Sequence, residues 1–286
     1  MKKLLIGALA FLLILTGCSN GKTSLSQEEV IFKIGDEKVT TQQLYTSMLL
    51  SDGGKKAIEL AQQIMTQDIT NEAIQAEVDA MLQDQKDTLK DSFLTEVQKL
   101  GFVDEEDYVE RSLRPFFRMK RYTENHLTEN YSTFASTHLP KELRVLEIVG
   151  KDKADEVSAK LKEGVSFETI VQEYKTEGTT HVGTQKIQFL NGSNLPAIVV
   201  KFVKEQNEPA ISEVLATEGS EVKYYLVDLV ENDLEKLKDQ AIAASFNVSS
   251  IAEAIMADIY RGNGFRIYDI NVYEMLKPDY SDFFAK

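Results

Sequence analysis

Lys160-Leu161-Lys162-Glu163-Gly164-Val165-Ser166-Phe167-Glu168-Thr169-Ile170 is the stretch whose reading decides the fold. Its first half closes a helix predicted from Lys153 to Lys162, and Gly164 supplies the left-handed turn that a β-carbon disfavours. A second helix is predicted from Ser166 to Tyr174, with Phe167 and Ile170 three apart on the face turned to the core. Around this pair lie β-like runs at Arg144–Val149, Ile187–Leu190, Ile211–Ala216 and Val222–Val230, with a glycine- and threonine-rich loop at Thr176–Thr184 and a short helix at Val199–Val203. Residues 138–231 therefore read as one small mixed domain.

The flanks read differently. Upstream, Val30–Val39 reads as a strand, a Gly-Asp turn and a return, and Thr40 to Gln43 has capping-box spacing before Leu44, Tyr45, Met48 and Leu49. Apolar residues then recur at three and four: Ile58, Ala61, Ile64 and Met65; Ile74, Val78, Met81 and Leu82; Leu89, Phe93, Val97 and Leu100, this last stripe ending at Gly101. Glu105–Tyr122 reads as a further helix kinked or divided by Pro115. Downstream of Asn232 the pattern is helical again, through Leu234, Leu237, Ile242, Phe246, Ile251, Ile255 and Ile259, and ends in a predicted strand at Phe265–Ile270. Helical, mixed, helical is the order expected of an insertion, so segments 30–137 and 232–286 are expected to pack together. The expected class is α+β, a helical N- and C-terminal lobe carrying an inserted α+β domain.

The chain opens with Lys2 and Lys3, an uncharged run from Leu4 to Leu15, and then Leu15-Thr16-Gly17-Cys18, which contains the only cysteine of 286 residues. A short apolar core behind two lysines is a secretory signal rather than a membrane span. Its end resembles the lipobox of bacterial lipoproteins, which implies a signal peptide at 1–17, lipidation at Cys18 and a polar tether over 18–29. No other cysteine exists for a disulfide or a thiolate metal site. The three histidines, His126, His138 and His181, have no metal-ligand spacing, and no cofactor is expected. A net charge of -14 repels phosphate backbones, so nucleic acid is not an expected partner.

The middle segment resembles a parvulin (PpiC-type) prolyl isomerase domain. The resemblance is carried by the Lys160–Ile170 stretch, by Ala210-Ile211-Ser212-Glu213-Val214 at a strand entry, and by Tyr224-Tyr225-Leu226-Val227 in the last strand. The lipobox, tether, strand pair, Thr-capped helix and the Phe93-Leu94 to Leu100-Gly101 motif extend it to foldase lipoproteins of the PrsA type, in which a parvulin domain interrupts a helical lobe. That family implies rotation about X-Pro amides in an apolar pocket beside two histidines and a Cys or Asp. Here Glu147 stands where the first histidine is expected, and Lys223-Tyr224-Tyr225 matches the second, with Tyr224 taken as its position. The family's glycine-rich loop is reduced to His181-Val182-Gly183-Thr184-Gln185. Phe189, Leu195 and Phe202 fall near the family's pocket wall.

The resemblance thus implies a catalytically degenerate domain within a chaperone that assists secreted proteins after translocation. Its partners would be unfolded or partly folded clients, with a homodimer left open. It would be held by the Cys18 lipid on the outer face of the cell membrane. Client contacts are sought among Tyr45, Met48, Phe93, Phe102, Phe116, Phe117 and Met119. Two alternatives stay open, an active prolyl isomerase using other residues and a solute-binding lipoprotein, whose fold would need parallel βα units.

Overall fold

A computed structural model describes residues 29–192 and 194–285, and Cys18 with its tether lies outside them. In chain order the elements are β1 Val30–Ile34, β2 Glu37–Thr40, α1 Thr41–Met65, α2 Gln75–Leu89, α3 Phe93–Lys99, α4 Glu105–Tyr108, α5 Arg114–Glu129 and α6 Tyr131–His138. There follow β3 Pro140–Ile148, α7 Lys151–Lys162, α8 Phe167–Tyr174, β4 Val182–Phe189, α9 Ala197–Lys204, β5 Ala210–Ile211, β6 Leu215–Ala216 and β7 Tyr224–Glu231. The chain then forms α10 Lys238–Ser245, α11 Ser249–Gly262 and α12 Ile270–Tyr280. The class is α+β, as the sequence predicts.

The described residues form two compact units, 29–59 with Ile267–Asp279, and Leu60–Arg266 with 280–285. In the first, β1 and β2 pair antiparallel, and the Thr40 capping box is complete. The Thr40 amide donates to Gln43 Oε1 at 2.9 Å, and the Gln43 amide donates to Thr40 Oγ1 at 3.3 Å. The helix passes through Gly53-Gly54 without a break. Gly54 is buried, and a β-carbon there would meet Leu276 and Met275 at 3.3 Å, so the missing side chain admits α12. Phe265–Ile270 is not a strand. Asp269 instead accepts the Asn271 and Val272 amides at 2.9 and 3.1 Å and caps α12, an arrangement that favours helix over extension.

In the second unit the helical flanks share a core. Met119 and Leu127 of α5 and Tyr131 and Phe134 of α6 pack with Ile242 of α10 and with Ile251, Ile255 and Ile259 of α11. A smaller core joins Ile74, Val78, Phe93, Val97, Tyr108, Leu113 and Phe117. Three of the expected stripe residues, Ile64, Leu89 and Leu100, are exposed. The α2 helix ends at Leu89, where Lys90 takes a positive φ, which turns the following residues off the predicted stripe. Gly101 does end its helix, with the Phe102 amide reaching Val97 O and its own amide reaching Gln98 O, the paired bonds of a glycine C-cap. Ahead of Pro115 the helix widens into a π-turn over Val109–Leu113, and α5 then runs on to Glu129, beyond the predicted end at Tyr122. The wider turn accommodates a ring that would otherwise press on the carbonyl four residues back.

The mixed segment is built on an antiparallel sheet in the order β4-β3-β7-β5, with β6 also on β7. β3 begins at Pro140, four residues before the predicted run, and β4 begins inside the predicted loop. Leu143, Val145, Tyr225, Val227 and Leu229 face α9 through Val199 and Val203. Leu146, Ile148 and Leu226 face the other way, onto Val157, Phe167 and Ile170 of α7 and α8. The turn between those helices follows the sequence reading. Gly164 has φ +81°, the Val165 amide reaches Lys160 O at 3.0 Å, and Ser166 accepts the Thr169 amide at 3.3 Å. Buried Asp228 is held by Arg144, whose Nε donates at 2.7 Å and which also pairs with Glu168 of α8. A buried carboxylate in that position requires such a partner.

Gly183 has φ +79°, and a β-carbon there would lie 2.4 Å from Val171 Cγ2. Gly183→Ala is expected to lower stability by about 2–4 kcal/mol through backbone strain and overlap together. Urea unfolding checks this. Adding Val171→Ala should recover the overlap but not the strain, and a Gly183→Ala chain as stable as its parent would refute the account.

Candidate functional site

The site grows from the pairing of β3 with β7. Glu147 lies opposite Tyr225, and Ile148 lies opposite Tyr224. Side chains alternate across a strand, so Glu147 and Tyr225 share the α9 face, whereas Tyr224 points to the α7–α8 side and packs there. The expected position at Tyr224 is thus displaced by one residue. Tyr225 is the tyrosine beside Glu147, and a one-residue offset reverses the face. The sequence carried a signal for this, because Tyr225, Val227 and Leu229 form the apolar alternation that Tyr224 does not join.

The third strand completes the group. The Glu147 amide donates to His181 O at 2.8 Å, which brings His181 alongside β3 just before β4 begins. Its ring meets Tyr225 edge to face, with centroids 6.0 Å apart and planes at 77°. Only 9% of His181 is exposed, and Nδ1 is buried with no hydrogen-bond partner among the described residues. The Glu147 carboxylate, itself mostly covered, accepts from Lys223 Nζ at 3.2 Å. Burial pushes the His181 imidazole below its ordinary range. Lys186 and Lys223 press it the same way, while Glu147 opposes them. Burial and the Glu147 charge push the Tyr225 phenol up, so it stays protonated at neutral pH.

The apolar wall divides. Leu195 and Phe202 pack, half-buried, on the Glu147–Tyr225 face. Phe189 does not join them. It is fully buried in the core shared with the helical flanks, edge-on to Phe134 at 5.9 Å. It ends β4 where β3 begins, opposite Pro140, and there the strand meets the helical flanks rather than the sheet's open face. The expected client contacts divide as well. Tyr45, Met48 and Phe116 are exposed, Phe102 is intermediate, and Phe93, Phe117 and Met119 are core. His126 pairs with Asp258 at 3.3 Å, and half-buried His138 stacks near Phe134, so both serve the helical flanks. A cavity of about 550 Å³ beside the α7–α8 turn, lined by Leu161, Val165, Ile211 and Val214 among others, had no sequence signal. Among the described residues no three His, Cys, Asp or Glu side chains converge as a metal site.

Chemically the face offers a protonated phenol, a neutral imidazole and a paired carboxylate beside two apolar side chains. It holds no second imidazole. No family model matches the chain. Two curated proteins do, both named foldase protein PrsA. The Streptococcus gordonii protein is 22% identical over 287 residues, covering 94% of this chain and 93% of its own. The Bacillus subtilis protein is 22% identical over 285 residues, covering 94% and 92%. Among solved structures, PrsA of Streptococcus pneumoniae superimposes with TM-score 0.44 at 16% identity over 89% of this chain and 99% of its own. PrsA of Bacillus cereus gives 0.42 at 17% over 88% and 99%.

His181 also makes stability depend on pH. Its folded-state pKa is depressed, so between that value and the ordinary value the unfolded chain binds more protons. The contribution is complete above about pH 6.5 and is lost as pH falls through the folded value. Burial depresses His138 similarly, so it adds to the same slope. Urea-unfolding free energies measured from pH 7.5 to 5 should therefore decline for the parent and decline less for His181→Gln. Parallel curves would contradict this.

Proposed function

We infer that this chain, a PrsA-type foldase by its end-to-end match to two sequence relatives, works outside the cytoplasm on unfolded or partly folded secreted proteins, tethered to the membrane by a lipid on Cys18. The observation that carries the reading is the Glu147–Tyr225 face. It keeps an apolar wall in Leu195 and Phe202, while carboxylate and phenol stand where the resemblance expects imidazoles. Such a face is suited to holding an extended segment. It lacks the histidine pair that the family is thought to use against the barrier of about 18–20 kcal/mol to X-Pro rotation. Foldase work then rests on covering exposed apolar surface of clients and so delaying their association. Exposed Tyr45, Met48 and Phe116 supply apolar area for that purpose. The acidic surface, at net -14, favours basic clients and keeps them soluble. The all-antiparallel sheet weighs against the solute-binding alternative.

The test uses unfolded, reduced lysozyme as a basic secreted client and a prolyl tetrapeptide as isomerase substrate. The full chain at equimolar ratio should slow lysozyme aggregation several-fold and leave the cis-to-trans rate of the peptide unchanged. Equal aggregation with and without the chain would end the chaperone reading. A rate rising linearly with chain concentration would replace it with the active isomerase. In cells, Cys18→Ala should move the protein from the membrane fraction to the soluble one.

A further inference from the structure

β5 closes one end of the sheet order β4-β3-β7-β5, so one of its two edges faces no strand among the described residues. The Ser212 amide donates to Val227 O of β7 at 2.8 Å. Backbone groups alternate in direction along a strand, so the N–H and C=O of Ile211 point away from β7. This open edge is short. Pro209 has no N–H to offer on it, and the register on β7 shifts between Ile211 and Leu215. What remains is one donor and one acceptor, both on Ile211. Its side chain lies opposite Asp228 and stands on the α7–α8 side, where Arg144 links Asp228 to Glu168. There it is 49% exposed, and with Leu161, Val165 and Val214 it lines the cavity of about 550 Å³. Glu147 and Tyr225 lie on the other side of the sheet.

We propose that the β5 edge and this cavity form a second peptide site, which takes an extended segment of an unfolded client by strand addition. Resting on the foldase reading above, the site adds to it a place and a ligand class: a segment with a large aliphatic side chain on a residue that keeps its N–H. That residue pairs with Ile211 and exchanges both backbone bonds with it. Residues opposite one another in a ladder share a face, so its side chain enters the cavity against Leu161, Val165 and Val214. An extended backbone matches an N–H and a C=O presented together by one residue, and an aliphatic side chain matches the wall. A folded partner fits less well, because the open edge is a single residue long. Proline is excluded from the paired position, having no N–H to give to Ile211 O, so this site sorts segments differently from a prolyl pocket.

The probe is the peptide Thr-Thr-Leu-Thr-Thr, blocked at both ends and titrated into the ¹⁵N-labelled full chain. The Ile211 amide should shift on binding, while the Tyr225 amide stays nearly still. N-methylation of the central leucine keeps its side chain and removes its N–H, and should weaken binding about five- to tenfold, the value of one hydrogen bond. A central alanine should weaken it about tenfold through lost apolar contact, and a central proline should lose both contributions. Val165→Phe, which fills the cavity and leaves the edge open, should abolish the preference for leucine over alanine. Should that variant fail to fold, the peptide series on the parent decides. Equal binding of the leucine and N-methyl-leucine peptides, or shifts centred on Tyr225, would overturn the proposal. So would an Ile211 amide that moves with protein concentration alone, since the edge would then pair with a second copy. A parent that slows lysozyme aggregation without binding the peptide would overturn the site and leave the foldase reading standing. Binding with the expected selectivity but no effect on lysozyme would keep the site and remove the foldase reading.

Discussion

The antiparallel pairing of β3 with β7 is the constraint on which the mixed segment depends. It fixes which side chains share a face, and from that alone the two sides acquire different roles. One side takes Leu146, Ile148 and Leu226 onto α7 and α8 as plain core. The other carries Glu147 and Tyr225 toward α9, and with them the polar groups of the candidate site. The Arg144–Asp228 bridge opposes any slip of this pairing, because displacement would leave a buried carboxylate without its cation.

The same pairing explains how the sheet carries a carboxylate and a phenol side by side at Glu147 and Tyr225. The backbone bonds of the sheet at 147 and 225 do not depend on side-chain identity, and the Tyr225 ring packs with Val199 and Val203 of α9. A carboxylate at 147 is tolerated because Lys223 lies within reach at 3.2 Å, and a phenol at 225 because its ring fills apolar space. With Glu147 engaged, His181 becomes the group whose hydrogen-bonding capacity the fold leaves unspent.

Much of the local structure was legible in the residues. The Thr40–Gln43 box, the glycine ends at Gly101 and Gly164 and the serine cap at Ser166 depend on neighbours a few positions away, so sequence spacing is enough to read them. The predicted strand at Phe265–Ile270 failed because β propensity is realised only with a pairing partner, and Asp269 offered a cap instead. Leu89, Leu100 and Ile64 failed as core because an apolar stripe says nothing about which helix, if any, lies opposite it.

The sequence by itself determined the α+β class and the helix–glycine–helix unit at 160–170. These follow from short-range periodicity and from residue identity. Only the tertiary structure decided that Tyr225 and not Tyr224 stands beside Glu147, that Phe189 belongs to the helical core, and that His181 lies buried at the site. Each of these turns on strand register and on which elements meet. Those are set by contacts between residues far apart in the chain, and a pattern read along the chain does not contain them.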